Sequence, residues 1–447
     1  MSNKSLSVEE KIGILISLCE KNLLEEALIK AKTFVKQHPE NASIYNIYGI
    51  IYSGLENYKE SIVFFLKSIK LDPNNAKTYN NLGSALNNLG QTEEAILNYN
   101  KAVKLNPNFA EAYFNLGKTL NDVERFDDAI TSYCTAIELK PNFEDAYNNL
   151  IKILTFHQTK KRKQNIFLIS NKLSQNMIFN FDSNNKISDE NIKDFFITSN
   201  NVLFKDKNIN NVKSVETQIY RRNTTNLNCE RHFDVFNTFN VIPEFCFGCF
   251  KVLVEPINVV DLIKLYFVFD NLNLINNNTR KCMIELRSKV PGSYKGYIYC
   301  STLDEANEIC KSVDKIIKKK IDNSVAVSVK RGCSEFGISY PEYKKIDDDN
   351  KKLMKYNNEW KEKENLIDIN RTEKNILTKE KLQKSLNGTS LSDILIIRNW
   401  LGYAKKIGDQ SYKKITDDIS VQPLIEKKLS GQLLIRFKQF NSRINKK

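Results

Sequence analysis

Residues 76–109 read AKTYNNLGSALNNLGQTEEAILNYNKAVKLNPNF, and residues 110–143 read AEAYFNLGKTLNDVERFDDAITSYCTAIELKPNF, in identical register over 34 positions. Each unit carries an aromatic (Tyr79, Tyr113), Leu-Gly (Leu82-Gly83, Leu116-Gly117), Ala (Ala95, Ala129), a second aromatic (Tyr99, Tyr133), Ala again (Ala102, Ala136) and Pro (Pro107, Pro141). Gly83 and Ala95 are small where two antiparallel helices must approach closely, and the aromatics fill the gap to the next hairpin. Pro107 stops the second helix because it lacks an N–H and disfavours helix at the residue before it. One unit earlier the pattern persists as Tyr45, Tyr48-Gly49, Ser61, Phe65, Ser68 and Pro73; a further unit back it thins to Leu18, Ala27, Ala31 and Pro39.

A 34-residue period built from these residue types resembles the tetratricopeptide repeat (TPR) family. The resemblance implies an α-solenoid over residues 8–157, four repeats closed by a capping helix, EDAYNNLIKILTFHQ, in which Tyr147 and Leu150 keep only the first-helix pattern. It also implies a partner: a protein or peptide in extended conformation, bound in the groove lined by the first helix of each repeat. Asn81, Asn115 and Asn149 recur at the same spacing of 34. Resemblance to the TPR region of O-linked N-acetylglucosamine transferases implies an asparagine ladder here, each side-chain amide offering a donor and an acceptor to one peptide unit of the ligand. Ile47 stands at the equivalent place in the second repeat and shortens the ladder, and in an Asn-rich chain the same residues also serve as polar filler. The glycosyltransferase that follows such repeats in that family has no counterpart here, so the resemblance carries a binding mode and no activity.

A chain of 447 residues is too long for one core and suggests two or three domains. Its greasiest segment, VVDLIKLYFVFDNLNL, is interrupted by Asp261, Lys264 and Asp270, and the start, MSNKSLSVEEKIG, is polar and acidic where a signal peptide would be basic and then apolar. These features predict no membrane partner. Nine cysteines in such a chain read as reduced thiols or metal ligands, which predicts a cytoplasmic protein. Residues 1–155 hold 16 Lys and Arg against 19 Asp and Glu, so the remainder holds 51 against 34. The basic character belongs to the C-terminal portion, where it suits either a polyanionic partner or a Lys- and Asn-rich compositional bias.

Residues 158–215 read as a basic, Asn- and Lys-rich linker with one or two short helices; its run Lys160, Lys161, Arg162, Lys163 is either a nucleic-acid contact or a solvated helix end. From Phe250 the period changes to strand (FKVLVEP), amphipathic helix (NVVDLIKLYFVFDNLNL), strand (KCMIELRS), strand (YKGYIYCS), a Thr-capped helix (TLDEANEICKSVDKIIKKK) and a strand (SVAVSVKRG). This βαββαβ order predicts a ferredoxin-like sandwich over residues 216–340, with strands in order 4-1-3-2 and two helices on one face. Residues 341–447 read as a charged helical region that covers part of the sheet or mediates assembly. The expected fold class is therefore multidomain, α and α+β.

The segment CERHFDVFNTFNVIPEFCFGC spans residues 229–249 and supplies Cys229, His232, Cys246 and Cys249. In the expected topology the first strand starts where the fourth ends, which brings Cys333 of KRGCSEF to the same place. Cys282 and Cys300 are expected to meet at the opposite edge. C-x-x-H followed by C-x-x-C suits tetrahedral zinc, and an iron–sulfur cluster on Cys229, Cys246, Cys249 and Cys333 competes for the same atoms. Buried thiols packed as small apolar residues are the third use. On the third strand Lys295, Tyr297 and Tyr299 share a face, as in RNA-recognition domains where sheet aromatics stack on bases, but the first strand lacks the matching aromatic and a cross-strand aromatic ladder is the favoured reading.

No catalytic set emerges. His38, His157 and His232 join no nucleophile motif, no phosphate loop opens a helix, and no HExxH occurs. The reading is a non-enzymatic adaptor, with a metal-dependent protein-modifying enzyme and an RNA-associated protein as alternatives.

Overall fold

The protein is described from a computed structural model that covers residues 6–159, 165–176, 185–203, 212, 216–222, 228–287, 289–346, 354–373, 388–417 and 419–444. The basic run 160–163 lies outside these residues. The chain divides into two compact units, one of residues 1–153 with 159–163, the other of 154–158 with 164–447.

The described residues of the first unit form helices joined by short turns. Four hairpins follow one another: α1 (Val8–Glu20) with α2 (Leu24–Gln37), α3 (Ala42–Gly54) with α4 (Tyr58–Leu71), α5 (Ala76–Asn88) with α6 (Thr92–Leu105), and α7 (Ala110–Asp122) with α8 (Phe126–Leu139); α9 (Glu144–Leu154) comes last. Ala27, Ala95, Ala102, Ala129 and Ala136 are fully buried, as expected of positions where helices touch. In the second hairpin Ser61 and Ser68 replace the alanines, equally buried, and each donates its hydroxyl to a carbonyl of α3, Ser61 to Gly49 and Ser68 to Ala42, both at 2.8 Å. A buried hydroxyl is tolerated only when bonded, and both are. Gly83 is needed by the ring of Tyr99, since a Cβ there would fall 2.8 Å from it. The residues before the four prolines, His38, Asp72, Asn106 and Lys140, lie at φ between −138° and −132°, outside the helical region, which ends α2, α4, α6 and α8.

The second unit is built on a five-stranded antiparallel sheet of β1 (Gln218–Arg221), β2 (Phe250–Glu255), β3 (Arg280–Ile284), β4 (Tyr294–Cys300) and β5 (Ala326–Arg331), in order β1-β3-β4-β2-β5. The four strands read from the sequence thus take the order 4-1-3-2, and β1, too short at four residues to stand out as a pattern, extends the edge beside β3. Helices α10 (Ile166–Asn176) and α11 (Asp189–Leu203) precede the sheet, so the stretch 158–215 does more than connect: Phe167, Phe195 and Phe196 are buried, and Phe195 meets Phe267 edge-on at 4.9 Å. Between β1 and β2 lie α12 (Cys229–Phe239) and the single turn α13 (Glu244–Phe247).

Helix α14 (Val259–Asn271) packs on β3 and β4, and α15 (Leu303–Lys320) on β2, β4 and β5. Thr302 caps α15, accepting from the Glu305 N–H at 3.1 Å. Gly296 has a packing reason: a Cβ there would stand 2.5 Å from Leu265 of α14. Every residue of α14 from Val259 to Phe269 is buried, including Asp261 and Lys264, so the amphipathic expectation fails. The cause is coverage on two sides, by the sheet and by α11 and a later helix. That helix follows α16 (Ser334–Ser339) and α17 (Trp360–Glu373); it is α18 (Leu391–Ile407), and α19 (Pro423–Leu429) and α20 (Leu433–Ile444) complete the unit. Helix α18 buries thirteen of its residues. Arg221 of β1 ties the layers together, pairing with Asp393 of α18 at 2.9 Å and Asp270 of α14 at 2.7 Å while donating to the Tyr266 hydroxyl.

Candidate functional site

The asparagines of the repeats sit on first helices, half-buried, and they interlock. Asn81 Nδ2 donates to Asn46 Oδ1 at 3.1 Å, and Asn115 Nδ2 donates to Asn80 Oδ1 at 2.9 Å. The spacing is 35, one more than the repeat, so each ladder residue bonds the position just before its equivalent in the preceding unit. Sequence reading missed this second column because it tracked only one position per repeat. Asn149 stands apart: Phe114 occupies the partner position, and its amide turns to the Asp145 carbonyl of its own helix at 2.8 Å. Asn81 and Asn115 therefore have oriented amides, each keeping an acceptor oxygen and a second N–H.

In the second unit β2 starts where β5 ends. Phe250 pairs with Arg331, and the Gly332 N–H donates to the Cys249 carbonyl at 2.7 Å. Cys333 follows at once. On α12 a spacing of three puts Cys229 and His232 on one face, and α13 carries Cys246. These five side chains line one small cavity of about 10 Å³, together with Phe233, Phe245, Lys251 and Gly332. Burial, with Arg231 nearby, lowers the His232 ring to about 4 and keeps it neutral, while burial and the neighbouring Cys333 raise the Cys229 thiol to about 11. Burial pushes the Cys246 thiol up further still. Among the described residues no three His, Cys, Asp or Glu side chains are grouped so as to hold a metal ion, and Lys251 Nζ donates to Cys333 Sγ at 3.4 Å. All nine cysteines lie among the described residues, and none forms a disulfide.

Cys282 and Cys300 do not meet. Cys282 lies opposite Gly296, and Cys300 lies opposite Phe250, at the same end of the sheet as Cys249. The reason is antiparallel pairing, which sets the end of β4 beside the start of β2.

The face of the sheet turned away from α14 and α15 bears Lys295, Tyr297 and Tyr299, but not as an open platform. Lys295 is buried and paired with Glu285 at 3.1 Å. Tyr297 and Tyr299 are 4% and 8% exposed, and ammonium groups lie over their rings: Lys251 is 5.0 Å from the Tyr299 centroid, and Lys281 and Lys330 are each 5.7 Å from that of Tyr297. Lysines 251, 281 and 330 escaped the sequence reading. Each strand but one supplies a single lysine at matching parity, a signal visible only once the register is known: Lys251 opposite Tyr299 and Lys330, Lys281 opposite Tyr297.

Models of the tetratricopeptide repeat match residues 42–75 and 110–143, and further TPR models match 64–96 and 83–123. The N-terminal unit is a TPR array. Solved structures similar to it include MamA, 28% identical over 31% of this chain and 82% of that one, TM-score 0.30. YrrB, described as a TPR protein with an unusual peptide-binding site, is 28% identical over 34% and 77%, TM-score 0.29. The first TPR of Spaghetti (RPAP3), bound to an HSP90 peptide, is 30% identical over 25% and 90%, TM-score 0.25. No curated protein matches the chain. The TPR matches begin at residue 42, so the α1–α2 hairpin, with Leu15, Leu18, Ala27, Ala31 and Phe34 in its core, lies outside them. Among the described residues no helix is long and apolar enough to cross a membrane.

Proposed function

We propose that the protein is a cytoplasmic interaction adaptor whose TPR array captures an extended segment of another protein through the oriented amides of Asn81 and Asn115. The observation that carries this reading is the cross-repeat pair of amide hydrogen bonds. A side-chain amide whose orientation is already fixed loses little freedom when it receives a peptide unit, so backbone recognition costs less. Asn149, tied to its own helix, contributes less than the other two. The test is binding of the full-length protein to an array of extended peptides. Asn81→Ala with Asn115→Ala should weaken capture of the best-bound peptide about tenfold or more, at a net value of about 1 kcal/mol or so for each hydrogen bond, with helical content unchanged. An unaltered dissociation constant removes the ladder.

The second unit we read as a ferredoxin-like module to which β1 and the surrounding helices have been added, serving as the adaptor's basic half. A structural metal, zinc ahead of an iron–sulfur cluster, is a second reading for the cavity of Cys229, His232, Cys246, Cys249 and Cys333. Five donor side chains lining one small cavity favour it; the lack of any three of them grouped closely enough to share an ion, and the ammonium of Lys251 among them, oppose it. Metal analysis of the purified protein decides between them: one tightly held zinc per chain establishes the site, and none leaves packed thiols. The enzyme and RNA alternatives find less support, since Tyr297 and Tyr299 have ammonium groups where a base would stack.

A further inference from the structure

Beyond the adaptor reading, the second unit holds a larger concavity on the outer face of its sheet, adjoining the cysteine cavity and sharing Cys229, Phe233, Lys251 and Cys333 with it. It measures about 400 Å³ and is walled by Lys251, Lys281, Lys330, Tyr220, Tyr297 and Arg287, among others. Volumes of a few hundred Å³ suit a small molecule rather than a polymer.

The charges do not balance. Arg287 is answered by Glu285 at 2.6 Å and by Glu335 at 2.5 Å. The three lysines have no carboxylate partner among the described residues. Lys251, 5% exposed, has the Cys333 sulfur and two tyrosine rings. Lys281 donates to Gln218 at 3.1 Å and faces the Tyr220 hydroxyl at 3.4 Å, and Lys330 donates to Ser334 at 2.7 Å. Neutral partners satisfy hydrogen-bonding capacity, but they do not cancel charge. Lys251 is buried and Lys281 and Lys330 are half-buried; a buried ammonium without a counter-charge is costly, and three cations in one pocket repel each other as well. Lys251 and Lys330 stand directly opposite on β2 and β5, an arrangement sheets avoid unless something compensates.

We propose that the compensating group is a phosphate, and that this pocket is a binding site for a small phosphorylated molecule. A phosphate brings up to two negative charges and several acceptor oxygens to one point, whereas a single carboxylate brings one charge. Lysine is suited to such a partner as a mobile point charge. The hydroxyl of Ser334, which accepts from Lys330, adds a neutral donor at the same wall, while that of Tyr220 already donates to Gln218. Glu335, held by Arg287, lines the same pocket with one carboxylate oxygen buried and unpartnered, and it disfavours a ligand oxygen placed against it.

The experiment uses the full-length protein at constant ionic strength, with calorimetry and thermal melting as readouts. The probes are inorganic phosphate, pyrophosphate, ribose 5-phosphate and AMP, with citrate as a polycarboxylate control. Saturable binding of one or more phosphate probes with a rise in melting temperature is the expected result, and the order among them separates free phosphate from a phosphate ester. Lys281→Met and Lys330→Met should each cut affinity about tenfold or more. Loss of binding through unfolding is distinguished by melting each variant without ligand, where removing one of the repelling charges should leave the melting temperature equal or higher. Citrate binding alone, no phosphate probe binding at millimolar concentration, or full binding by both methionine variants would each overturn the proposal.

Discussion

Lys251 on β2 faces Lys330 on β5 across a directly paired antiparallel register, and neither has a carboxylate partner among the described residues. Like charges opposite each other in a sheet are destabilising by roughly 0.2–1 kcal/mol when exposed, and screening is weaker when buried. In phosphate-free buffer Lys330→Met should therefore raise the stability of the protein by about 0.5–1 kcal/mol. Denaturant unfolding measures it; a drop in stability would mean that the bond to Ser334 outweighs the repulsion.

Two glycines on first helices of the array should respond to alanine with opposite sign. Gly13 lies exposed in α1, and an added Cβ meets nothing within 4 Å. Gly13→Ala should stabilise by about 0.5–1 kcal/mol through helix propensity. Gly83→Ala gains the same term but drives a Cβ into the Tyr99 ring, and overpacking of this kind costs about 1–3 kcal/mol, so the net change should be destabilising. Equal melting temperatures for the two variants would count against the helix pairing.

Asp261, near the start of α14, is 8% exposed, and burial raises its carboxyl to about 6, with Asp189 and Asp322 adding to the rise and Lys264 opposing it. A carboxyl whose folded value lies above its unfolded one binds more protons when folded. Stability should then fall as pH rises from about 4 to 6, with the whole penalty present at neutral pH. Asp261→Asn keeps the shape and should flatten this slope, stabilising at pH 7 by on the order of 1–3 kcal/mol. Urea unfolding at pH 4, 5, 6 and 7 reads the slope directly; an unchanged slope in the variant would assign it elsewhere.

Arg221 is the buried cation that joins β1 to α14 and α18. Removing it strands Asp393 and Asp270 in the interior, so Arg221→Met should cost about 3–5 kcal/mol. Adding Asp393→Asn to Arg221→Met should recover part of that loss, which a simple cavity effect would not allow. Chemical denaturation of the parent and both variants separates the two causes.

The sequence alone determined what depends on local spacing. A 34-residue period of small, aromatic and proline residues specifies helical hairpins, because helix length, close approach and termination are each decided within a few residues. The alternation that marks β2 to β5, and the Thr302 cap of α15, are local for the same reason. The tertiary structure decided whatever depends on partners distant along the chain. Strand β1 is four residues long and gains its place from pairing with β3 and from Arg221. Helices α14 and α18 are buried over most of their length because other elements cover the faces their own composition left ambiguous. The amide pairs of Asn81 with Asn46 and Asn115 with Asn80 require the superhelical offset between repeats, which a single column of asparagines cannot show. Most of all, Lys251, Lys281 and Lys330 are unremarkable in their strands, and only the register of β2, β3, β4 and β5 gathers their charges into one pocket.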